Sequence, residues 1–308
     1  MNLLVTGGAG FIGSHIQDKL IELGHHVGII DNLRSGKKEN LRPESEFFEV
    51  DVRDSEKIPQ IFSTFKPEAI FHLAAQNEVP YSMEHPLEDQ DMNIVGMMNL
   101  LEACKADKVK MIYSNTGGAF YGEVPEADIP IPEDYVVAKP TSFYGVSKAC
   151  AEKYLQLYGN LYAIPWVSLR YSNVYGPRQD GNREAGVVAI FTQKLLAGEI
   201  PTINGDGGHT RDYVYVGDVV DANIAALGYS QNDYFNIATG TQTSNNTVFA
   251  SIEALLITGI AVKHGPDRPG DPRKNALSPA KAEKLLGWTP KTDFATGITQ
   301  TVSFYRHG

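Results

Sequence analysis

The chain has 308 residues, 42% of them hydrophobic and 21% charged, which suits one large or two smaller globular domains with a sizeable core. Its net charge of −10 argues against a nucleic-acid-binding surface, and no apolar run approaches the length of a membrane span. Cys104 and Cys150 lie in apolar helical patterns and no leader pattern precedes the first apolar run, so we expect buried free thiols and a cytoplasmic location.

Clustered glycines follow the first apolar run and lead into a helical pattern. Gly8, Gly10 and Gly13 match the dinucleotide-binding spacing G-x-G-x-x-G. A looser spacing, with two residues between each pair, begins at Gly7. The early glycines allow a tight turn and a close approach of pyrophosphate, and Gly13 lets the helix pack closely on the strand. The sequence therefore predicts a dinucleotide site at this helix N-terminus.

An acidic residue, Asp31, follows the second predicted strand at residues 26–30. A carboxylate about 20 residues beyond such a loop binds the ribose 2′-hydroxyl and repels a 2′-phosphate, so NAD is favoured over NADP. The alternative is a simple glycine turn followed by a solvated Asp31. The order of strand, loop, helix and acid favours the dinucleotide site.

Strand and helix patterns alternate as far as residue 170. Strands are predicted at residues 3–6, 26–30, 47–50, 69–73, 110–114 and 166–170. Helices are predicted near residues 12–23, 55–65, 92–106 and 144–159. This alternation predicts an α/β fold with a doubly wound (Rossmann) parallel sheet, whose ligands bind outside the carboxyl ends of the strands.

Residues directly after two of these strands are candidates for cofactor contact. Asp51-Val52 follows the third strand and Leu73-Ala74-Ala75 ends the fourth. Small residues would let a cofactor lie against the backbone, although a packed strand end is the simpler interpretation. Asn93 opens the next helical pattern, either as an N-cap or in a cofactor-linked role.

Beyond residue 171 the chain is rich in turn signals. Short helical patterns lie near residues 185–197, 217–227, 247–257 and 279–286, and a strand at 234–237 is expected to rejoin the sheet. We therefore predict a smaller, loop-rich α/β C-terminal substrate domain. The NAD-binding domain is assigned to residues 1–171 plus about 214–243, and the substrate domain to residues 172–213 and 244–308.

A helix start with Thr141 or Ser142 as its cap places Tyr144 and Lys148 on one helix face. An ammonium near a phenol stabilises the phenolate and lowers its pKa, so Tyr144 is a candidate general base. A second Tyr-x-x-x-Lys pair, Tyr135 and Lys139, is excluded because Pro140 follows it directly and disfavours helix. A half-buried tyrosine with a solvated lysine is the alternative for the first pair.

Two hydroxyl residues, Ser114 and Thr116, lie at the end of the fifth predicted strand. A hydroxyl there is placed to hydrogen-bond the reacting oxygen and to pass its proton. Capping of the strand end is the ordinary alternative, and for Ser114 both remain open.

These motifs, with others to the end of the chain, resemble the extended short-chain dehydrogenase/reductase superfamily. The match is closest to its UDP-glucose (UDP-galactose) 4-epimerase family. The resemblance runs through Thr6–His15, Asp31–Leu33, Ser35-Gly36, His72–Ala75, Asn93, the Tyr144–Lys148 pair, Arg170–Arg178, Arg211–Val216 and Arg268–Asp271.

The resemblance implies NAD and a UDP-hexose as ligands, with no metal. The implied NAD-binding residues are Gly7, Gly10, Phe11, Ile12, Gly13, Asp31, Asn32, Ser35, Gly36, Asp51, Val52, Leu73, Ala74, Ala75, Asn93, Ser114, Tyr144, Lys148, Tyr171 and Val174. The implied substrate-binding residues are Thr116, Tyr144, Asn173, Val188, Arg211, Arg268, Asp271 and Asn275. The guanidinium groups among them suit phosphate oxygens.

The implied reaction is redox-neutral inversion at C4 of the sugar through a 4-keto sugar. Tyr144 takes the proton of the 4-hydroxyl, and the hydride passes to bound NAD and returns to the opposite face. Similarity also implies a homodimer formed through the helices near residues 92–106 and 144–159. The alternatives are a uronate 4-epimerase, a reductase, or an NAD-sensing protein without catalysis.

Three departures from the family pattern refine these expectations. The family hydroxyl four residues before a Tyr-Gly pair would fall on Gly117, so Thr116 is favoured and Ser114 is kept. Dehydratases of the superfamily have an acidic pair where Gly117-Gly118 stands, which argues against elimination chemistry. Asn275 replaces a bulky residue and would admit N-acetylated sugars as well.

Overall fold

The structure, a computed structural model, describes residues 1–135, 140–181, 186–267 and 272–307. The chain divides into two compact units. The first comprises Met1–Phe120, Pro140–Arg170 and Val220–Phe235, and the second comprises Tyr121–Lys139, Tyr171–Val219 and Asn236–Gly308. Residues 121–135 therefore group with the second unit, whereas the sequence placed them with the first.

Seven strands form the central sheet. In chain order they are β1 (Asn2–Thr6), β2 (His26–Asp31), β3 (Glu46–Glu49), β4 (Ala69–His72), β5 (Lys110–Thr116), β6 (Trp166–Tyr171) and β11 (Asp233–Ile237). Their spatial order is β11-β6-β5-β4-β1-β2-β3, and β1 pairs in parallel with both β2 and β4. The doubly wound sheet is confirmed, and its topological switch point lies between β1 and β4. Every strand predicted in this part of the chain is present to within two residues.

Helices cover the strands of the first unit. They are α1 (Phe11–Glu22), α2 (Lys57–Phe65), α3 (Val79–Glu84), α4 (Pro86–Gln90), α5 (Gly96–Cys104) and α6 (Phe143–Tyr162). A π-helical turn, Asp91–Val95, joins α4 to α5. All four residues of β4 are buried, and Ile70 packs with Met97 of α5 and Leu155 of α6 in one apolar cluster. Burial on both faces explains why these strands are continuous apolar runs.

The second unit has its own core and only short strands. Its strands are β7 (Asn173–Tyr175), β8 (Thr202–Asn204), β9 (Thr210–Arg211), β10 (Tyr213–Tyr215), β12 (Thr243–Ser244) and β13 (Lys263–Gly265). Its helices are α7 (Val187–Leu196), α9 (Asn245–Leu256) and α10 (Phe294–His307), with a π-helical turn at Ala282–Leu286. Helix α8 (Val216–Gly228) runs from this unit into the first. An apolar cluster that includes Phe191, Val248 and Ile298 joins α7, α9 and α10.

The sequence predicted that both cysteines, Cys104 and Cys150, are buried free thiols. Cys104 is buried and Cys150 is half-buried, so only one of the two thiols expected in the interior is fully enclosed. Neither is in a disulfide. Among the described helices, none is both long enough and apolar enough to cross a bilayer.

Candidate active site

The glycine loop connects β1 to α1 at the switch point of the sheet. Gly7 has a φ of +70°, and a Cβ there would lie 2.8 Å from the amide nitrogen of Ala74. A Cβ on Gly13 would lie 2.2 Å from the carbonyl oxygen of Gly7. Gly10 is the N-cap residue of α1. Because it has no side chain, no side-chain acceptor from the cap occupies the first amides of the helix. Phe11 and Ile12 begin the helix. This backbone is shaped for a phosphate group.

The carboxylate of Asp31 is held at the end of β2 beside this loop. It is 7% exposed and accepts hydrogen bonds from the amides of Ala9, at 3.0 Å, and Leu33, at 2.8 Å. Burial raises its pKa, and the two backbone donors oppose that rise. A Cβ on Gly36 would lie 2.9 Å from both carboxylate oxygens, so the Ser35-Gly36 turn approaches Asp31 as only glycine permits.

A second carboxylate, Asp51, is engaged by the protein itself. The Arg53 guanidinium donates two hydrogen bonds of 2.9 Å to this carboxylate, and the Asn32 side chain donates a third of 2.7 Å. The hydrogen bonds from Arg53 lower the pKa of Asp51 to about 2, although burial opposes them. Val52, the next residue, packs in the core of the first unit. Asp51, through its hydrogen bonds, and Val52, through its packing, thus fix the chain that follows β3, next to Asn32.

The loop after β4 is fastened at both ends. Thr6 accepts hydrogen bonds at its hydroxyl from the amides of Leu73, at 3.2 Å, and Ala74, at 3.1 Å. Beyond Ala75, the side chain of Asn93 accepts from the Gln76 amide at 3.0 Å and donates to the Gln76 carbonyl at 2.9 Å. Asn93 lies inside the π-helical turn, so the N-cap interpretation is wrong. Its side chain instead shapes the loop.

Four predicted catalytic residues meet where β5 ends and α6 begins. Ser142 caps α6 by accepting from the Gly145 amide at 3.1 Å. Lys148 is 4% exposed, and its Nζ donates to the carbonyl oxygen of Ser114 at 2.8 Å. The side chain of Thr116 lies close enough to the phenol of Tyr144 to lower its pKa. The structure therefore brings a phenol, an ammonium and a hydroxyl to one edge of the sheet.

Close packing at Gly145 sets the position of α6. A Cβ at this residue would lie 2.4 Å from the carbonyl oxygen of Ala119. The amide of the preceding residue, Tyr144, donates to the hydroxyl of Ser82 in α3 at 3.2 Å. The first turn of the catalytic helix is thus held on two sides by neighbouring segments.

Burial dominates the protonation of this cluster. It raises the pKa of Tyr144 well above its usual value, which the nearby side chain of Thr116 only partly offsets. It also lowers the pKa of Lys148 to about 7, while the charge of Asp89 opposes that change. The phenol pKa is therefore raised rather than lowered as expected from Lys148, because desolvation of the enclosed phenol and the negative charge of Asp89 act in the same direction.

Apart from Thr116 and Tyr144, the expected substrate residues that the structure describes lie in the second unit, and their surroundings differ. The backbone amide of Asn173 donates to the carbonyl of Asp212 at 2.8 Å. The guanidinium of Arg211 donates to the carbonyl of Thr210 at 2.7 Å. Val188 is fully buried in the core of this unit, so its side chain packs inward rather than toward an open surface. Asn275 is 2% exposed, and neither polar atom of its side chain has a partner among the described residues.

Two of the four remaining predicted residues lie at strands next to the site. Tyr171 is buried at the end of β6, and Val174 is half-buried in β7. Arg268 and Asp271 lie outside the described residues. The described part of the chain contains no cluster of three or more metal-ligating side chains.

Two buried acidic residues near the site were not predicted from the sequence. Asp89 and Asp212 are both fully buried and accept several hydrogen bonds. Asp212 lies within the Arg211–Val216 motif, where an acid between an arginine and a tyrosine could have been singled out. Nothing in its neighbourhood distinguishes Asp89 from the solvated acids around it.

Comparison with known proteins agrees with this geometry. The family model described as the NAD dependent epimerase/dehydratase family matches residues 3–238. The chain is 47% identical to a UDP-glucose 4-epimerase of Thermotoga maritima solved with UDP-glucose, with a TM-score of 0.97 and coverage of 100% of this chain and 99% of that one. A Thermus thermophilus UDP-glucose 4-epimerase in complex with NAD is 45% identical, with a TM-score of 0.93 and 99% of each chain covered.

A third similar structure is a complex with an N-acetylated sugar nucleotide. It is a UDP-N-acetylglucosamine 4-epimerase from Methanobrevibacter ruminantium in complex with UDP-N-acetylmuramic acid, 36% identical with a TM-score of 0.92. The match covers 99% of this chain and 98% of that one. With its glycine loop, its Tyr144–Lys148 pair and these similarities, the chain belongs to the NAD-dependent epimerase/dehydratase family, within the extended short-chain dehydrogenases/reductases.

Proposed function

We propose that the protein is a UDP-glucose 4-epimerase that interconverts UDP-galactose and UDP-glucose. The observation that carries this function is the enclosed phenol of Tyr144 beside Thr116, with the Lys148 ammonium held at the same strand end. Acid–base chemistry on a sugar hydroxyl needs such a proton-transfer group, and a sensor protein does not. Similarity to 4-epimerases over the whole chain selects the reaction.

The residues of the first unit fit NAD as the resident cofactor. The bare backbone at Gly7 and Gly13 leaves room that a Cβ would fill, and Asp31 offers a carboxylate for ribose hydroxyls. The segment from Leu73 to Ala75 supplies a backbone edge held in place by Thr6 and Asn93. NAD bound there supplies reversible hydride acceptance at C4 of the sugar.

Proton transfer is assigned to Thr116, Tyr144 and Lys148. The Thr116 hydroxyl is placed to relay the proton of the sugar 4-hydroxyl to the phenol oxygen of Tyr144. The Lys148 ammonium, anchored on the Ser114 carbonyl, stabilises the phenolate that receives it. A raised phenol pKa makes the Tyr144 phenolate a stronger base toward the sugar hydroxyl, and the same phenol is assigned the return of the proton when C4 is reduced again.

The nucleotide diphosphate is assigned to Asn173 and Arg211, with Arg268 and Asp271 added by family similarity. A guanidinium matches two phosphate oxygens at once. The unpaired, buried amide of Asn275 favours a second class of substrate, since it offers a donor and an acceptor to an N-acetyl group. We therefore propose that the UDP-N-acetylhexosamine pair is also accepted, as the similar Methanobrevibacter enzyme suggests.

A homodimer is proposed from an apolar stripe along α6. Phe143, Val146, Leu157 and Leu161 are each between 47% and 63% exposed and recur at helical spacing, with half-buried Cys150 between them. Large exposed apolar side chains on one face are typical of an interface. Light scattering should give a dimer mass, which Leu161→Glu should reduce. The free thiols favour a reducing compartment, so a cytoplasmic location is proposed.

Turnover without added cofactor is the test of the function. The protein is denatured and the released NAD is measured, and the native protein is then incubated with UDP-galactose alone. We expect bound NAD and formation of UDP-glucose. Tyr144→Phe should keep NAD and lose at least about a hundredfold in kcat, whereas Tyr154→Phe on the same helix should leave kcat unchanged.

Other outcomes would identify the alternatives. Turnover of UDP-glucuronate in place of UDP-galactose would indicate a uronate epimerase. A requirement for stoichiometric NADH or NADPH would indicate a reductase. Bound NAD with no turnover of any UDP-sugar would indicate an NAD-sensing protein. Turnover like wild type in Tyr144→Phe would refute the assigned base.

A further inference from the structure

A fully buried carboxylate, Asp89, lies beside the catalytic cluster without taking part in the chemistry described above. It is on α4, and its side chain has 0% exposure. One carboxylate oxygen accepts from the side-chain amides of Gln76, at 3.2 Å, and Asn93, at 3.0 Å. The other oxygen accepts from the hydroxyl of Ser147 at 2.6 Å.

These contacts join the loop after β4 to helix α6, and the proposed reaction requires both to keep fixed positions relative to each other. Gln76 directly follows the small-residue segment assigned to the cofactor, and its backbone is already fixed by Asn93. Ser147 is on α6, between Tyr144 and Lys148. Asp89 therefore connects the segment assigned to the cofactor with the helix that carries the base.

The negative charge of Asp89 also faces the catalytic cation. Asp89 is within electrostatic reach of both Lys148 and Tyr144. The other groups around Lys148 offer no anion at neutral pH. His72 is enclosed and uncharged because burial lowers its pKa to about 3, and the pKa of the Tyr113 phenol is raised well above its usual value by burial.

The next carboxylate along the helix is already committed. Glu152 forms a buried ion pair with Arg170 and also accepts from Asn115 and Ser168. Its charge is thus compensated locally. Among the described residues that act electrostatically on Lys148, Asp89 is the one that favours the ammonium form.

We propose that Asp89 is a positioning residue for the epimerase reaction, which holds the cofactor loop against the catalytic helix and keeps Lys148 charged. This role rests on the proposed function. A buried carboxylate without such a role would be costly, since desolvation must be offset by its partners. Four groups on three segments supply that compensation here: Gln76, Asn93, Ser147 and Lys148.

The test is Asp89→Asn, which keeps the size and most of the hydrogen bonds. The amide oxygen still accepts from Gln76 and Asn93, and the amide nitrogen donates to the Ser147 hydroxyl. Loss of the charge lowers the pKa of both Lys148 and Tyr144. Both limbs of the pH profile of kcat for UDP-galactose should therefore move to lower pH, by about one unit. The exposed Asp107→Asn should leave the profile in place.

Ser147→Ala separates the two parts of the role. It removes the link to α6 but keeps the charge, so kcat should fall about tenfold with both limbs unmoved. If the kcat of Ser147→Ala is like that of wild type, the proposed link between Asp89 and α6 is refuted. This result is informative even if Asp89→Asn does not fold. Limbs that do not move in folded Asp89→Asn would refute the effect of the charge, even if kcat falls.

Failure of the proposed function would be visible separately. If the wild type turns over no UDP-sugar, the titration of Lys148 remains measurable by NMR, because burial lowers its pKa to about 7 and Lys148→Met identifies its signal. Lys148 should then titrate at lower pH in Asp89→Asn than in wild type. An unchanged titration would overturn the inference regardless of substrate.

Discussion

The Nζ of Lys148 donates a hydrogen bond of 2.8 Å to the carbonyl oxygen of Ser114, and its charge lies 4.7 Å from the centre of the Tyr113 ring. The ammonium is thereby held by the backbone at the end of β5. Ser114 contributes through its carbonyl oxygen, whereas Thr116, two residues later, contributes through its hydroxyl. This division supports the prediction that Thr116, rather than Ser114, supplies the acting hydroxyl.

The first prediction compares Thr116→Val with Ser114→Ala. Thr116→Val removes the relay hydroxyl at nearly constant volume, so kcat for UDP-galactose should fall about a hundredfold. Ser114→Ala keeps the carbonyl that binds Lys148, so kcat should change by less than about threefold. NAD content should be unchanged in both. A larger loss in Ser114→Ala than in Thr116→Val would reverse the assignment.

The second prediction concerns the glycine loop. In Gly13→Ala the new methyl group would lie 2.2 Å from the Gly7 carbonyl oxygen, which forces α1 away from the loop. We expect loss of bound NAD and a destabilisation of about 1–3 kcal/mol in urea unfolding. Gly228→Ala is the control, since its methyl group meets nothing within 4 Å. Full NAD content in Gly13→Ala would contradict the assigned phosphate site.

The third prediction is an acid-dependent loss of stability from His72. Its ring is fully enclosed, hydrogen-bonded to Thr6 at 2.8 Å, and its pKa is lowered from 6.5 to about 3 by burial. Between these values the unfolded chain binds a proton that the folded chain does not. His72 thus destabilises the fold as pH falls from 6.5 toward 3, by up to about 1.4 kcal/mol per pH unit.

Urea unfolding at pH 7 and pH 4.5 measures this effect. His72→Phe should lower stability at pH 7, because Thr6 loses a partner, but it should reduce the further loss between the two pH values. The exposed His307→Gln should leave the pH dependence like wild type. An unchanged pH dependence in His72→Phe would show that other groups dominate.

The fourth prediction concerns Asp212 in the second unit. Its fully buried carboxylate accepts from the amides of Thr239, at 2.9 Å, Gly240, at 2.8 Å, and Leu277, at 3.3 Å. Asp212→Asn would turn an amide group toward one of these donors, so the free energy of unfolding should fall by about 2–3 kcal/mol. The KM for UDP-galactose should rise, because the Asp212 carbonyl holds Asn173.

Asp206→Asn is the matched control for Asp212. That carboxylate is 61% exposed and paired with Arg273, so its loss should leave the free energy of unfolding close to that of wild type. Equal losses of stability in the two variants would show that the donors around Asp212 do not depend on its charge.

Much of the fold follows from the sequence because buried parallel strands are continuous apolar runs. The exceptions have physical reasons. Helices α3 and α4 have six and five residues and each begins at or next to a proline, so neither shows a helical period. Helix α10 buries Gly297 and Thr301 beside only two larger apolar residues, which leaves its pattern weak. The two- and three-residue strands of the second unit carry no alternation.

The site could be predicted where residues follow a strand or begin a helix. Tyr144, Lys148 and Thr116 meet because the carboxyl end of β5 and the start of α6 lie at one edge of the sheet. The direction of the Tyr144 pKa was not predictable, since the enclosure of a phenol depends on packing that no local pattern encodes. Asp89 was missed for the same reason.

Gly145 places a narrow limit on how this enzyme can evolve. Its α carbon stands so close to the Ala119 carbonyl that any larger side chain would push the whole first turn of α6 outward. The phenol oxygen of Tyr144, one residue earlier, would then retreat from Thr116, although neither catalytic residue had been altered. A substitution that leaves every reactive group intact can thus silence the enzyme through distance alone.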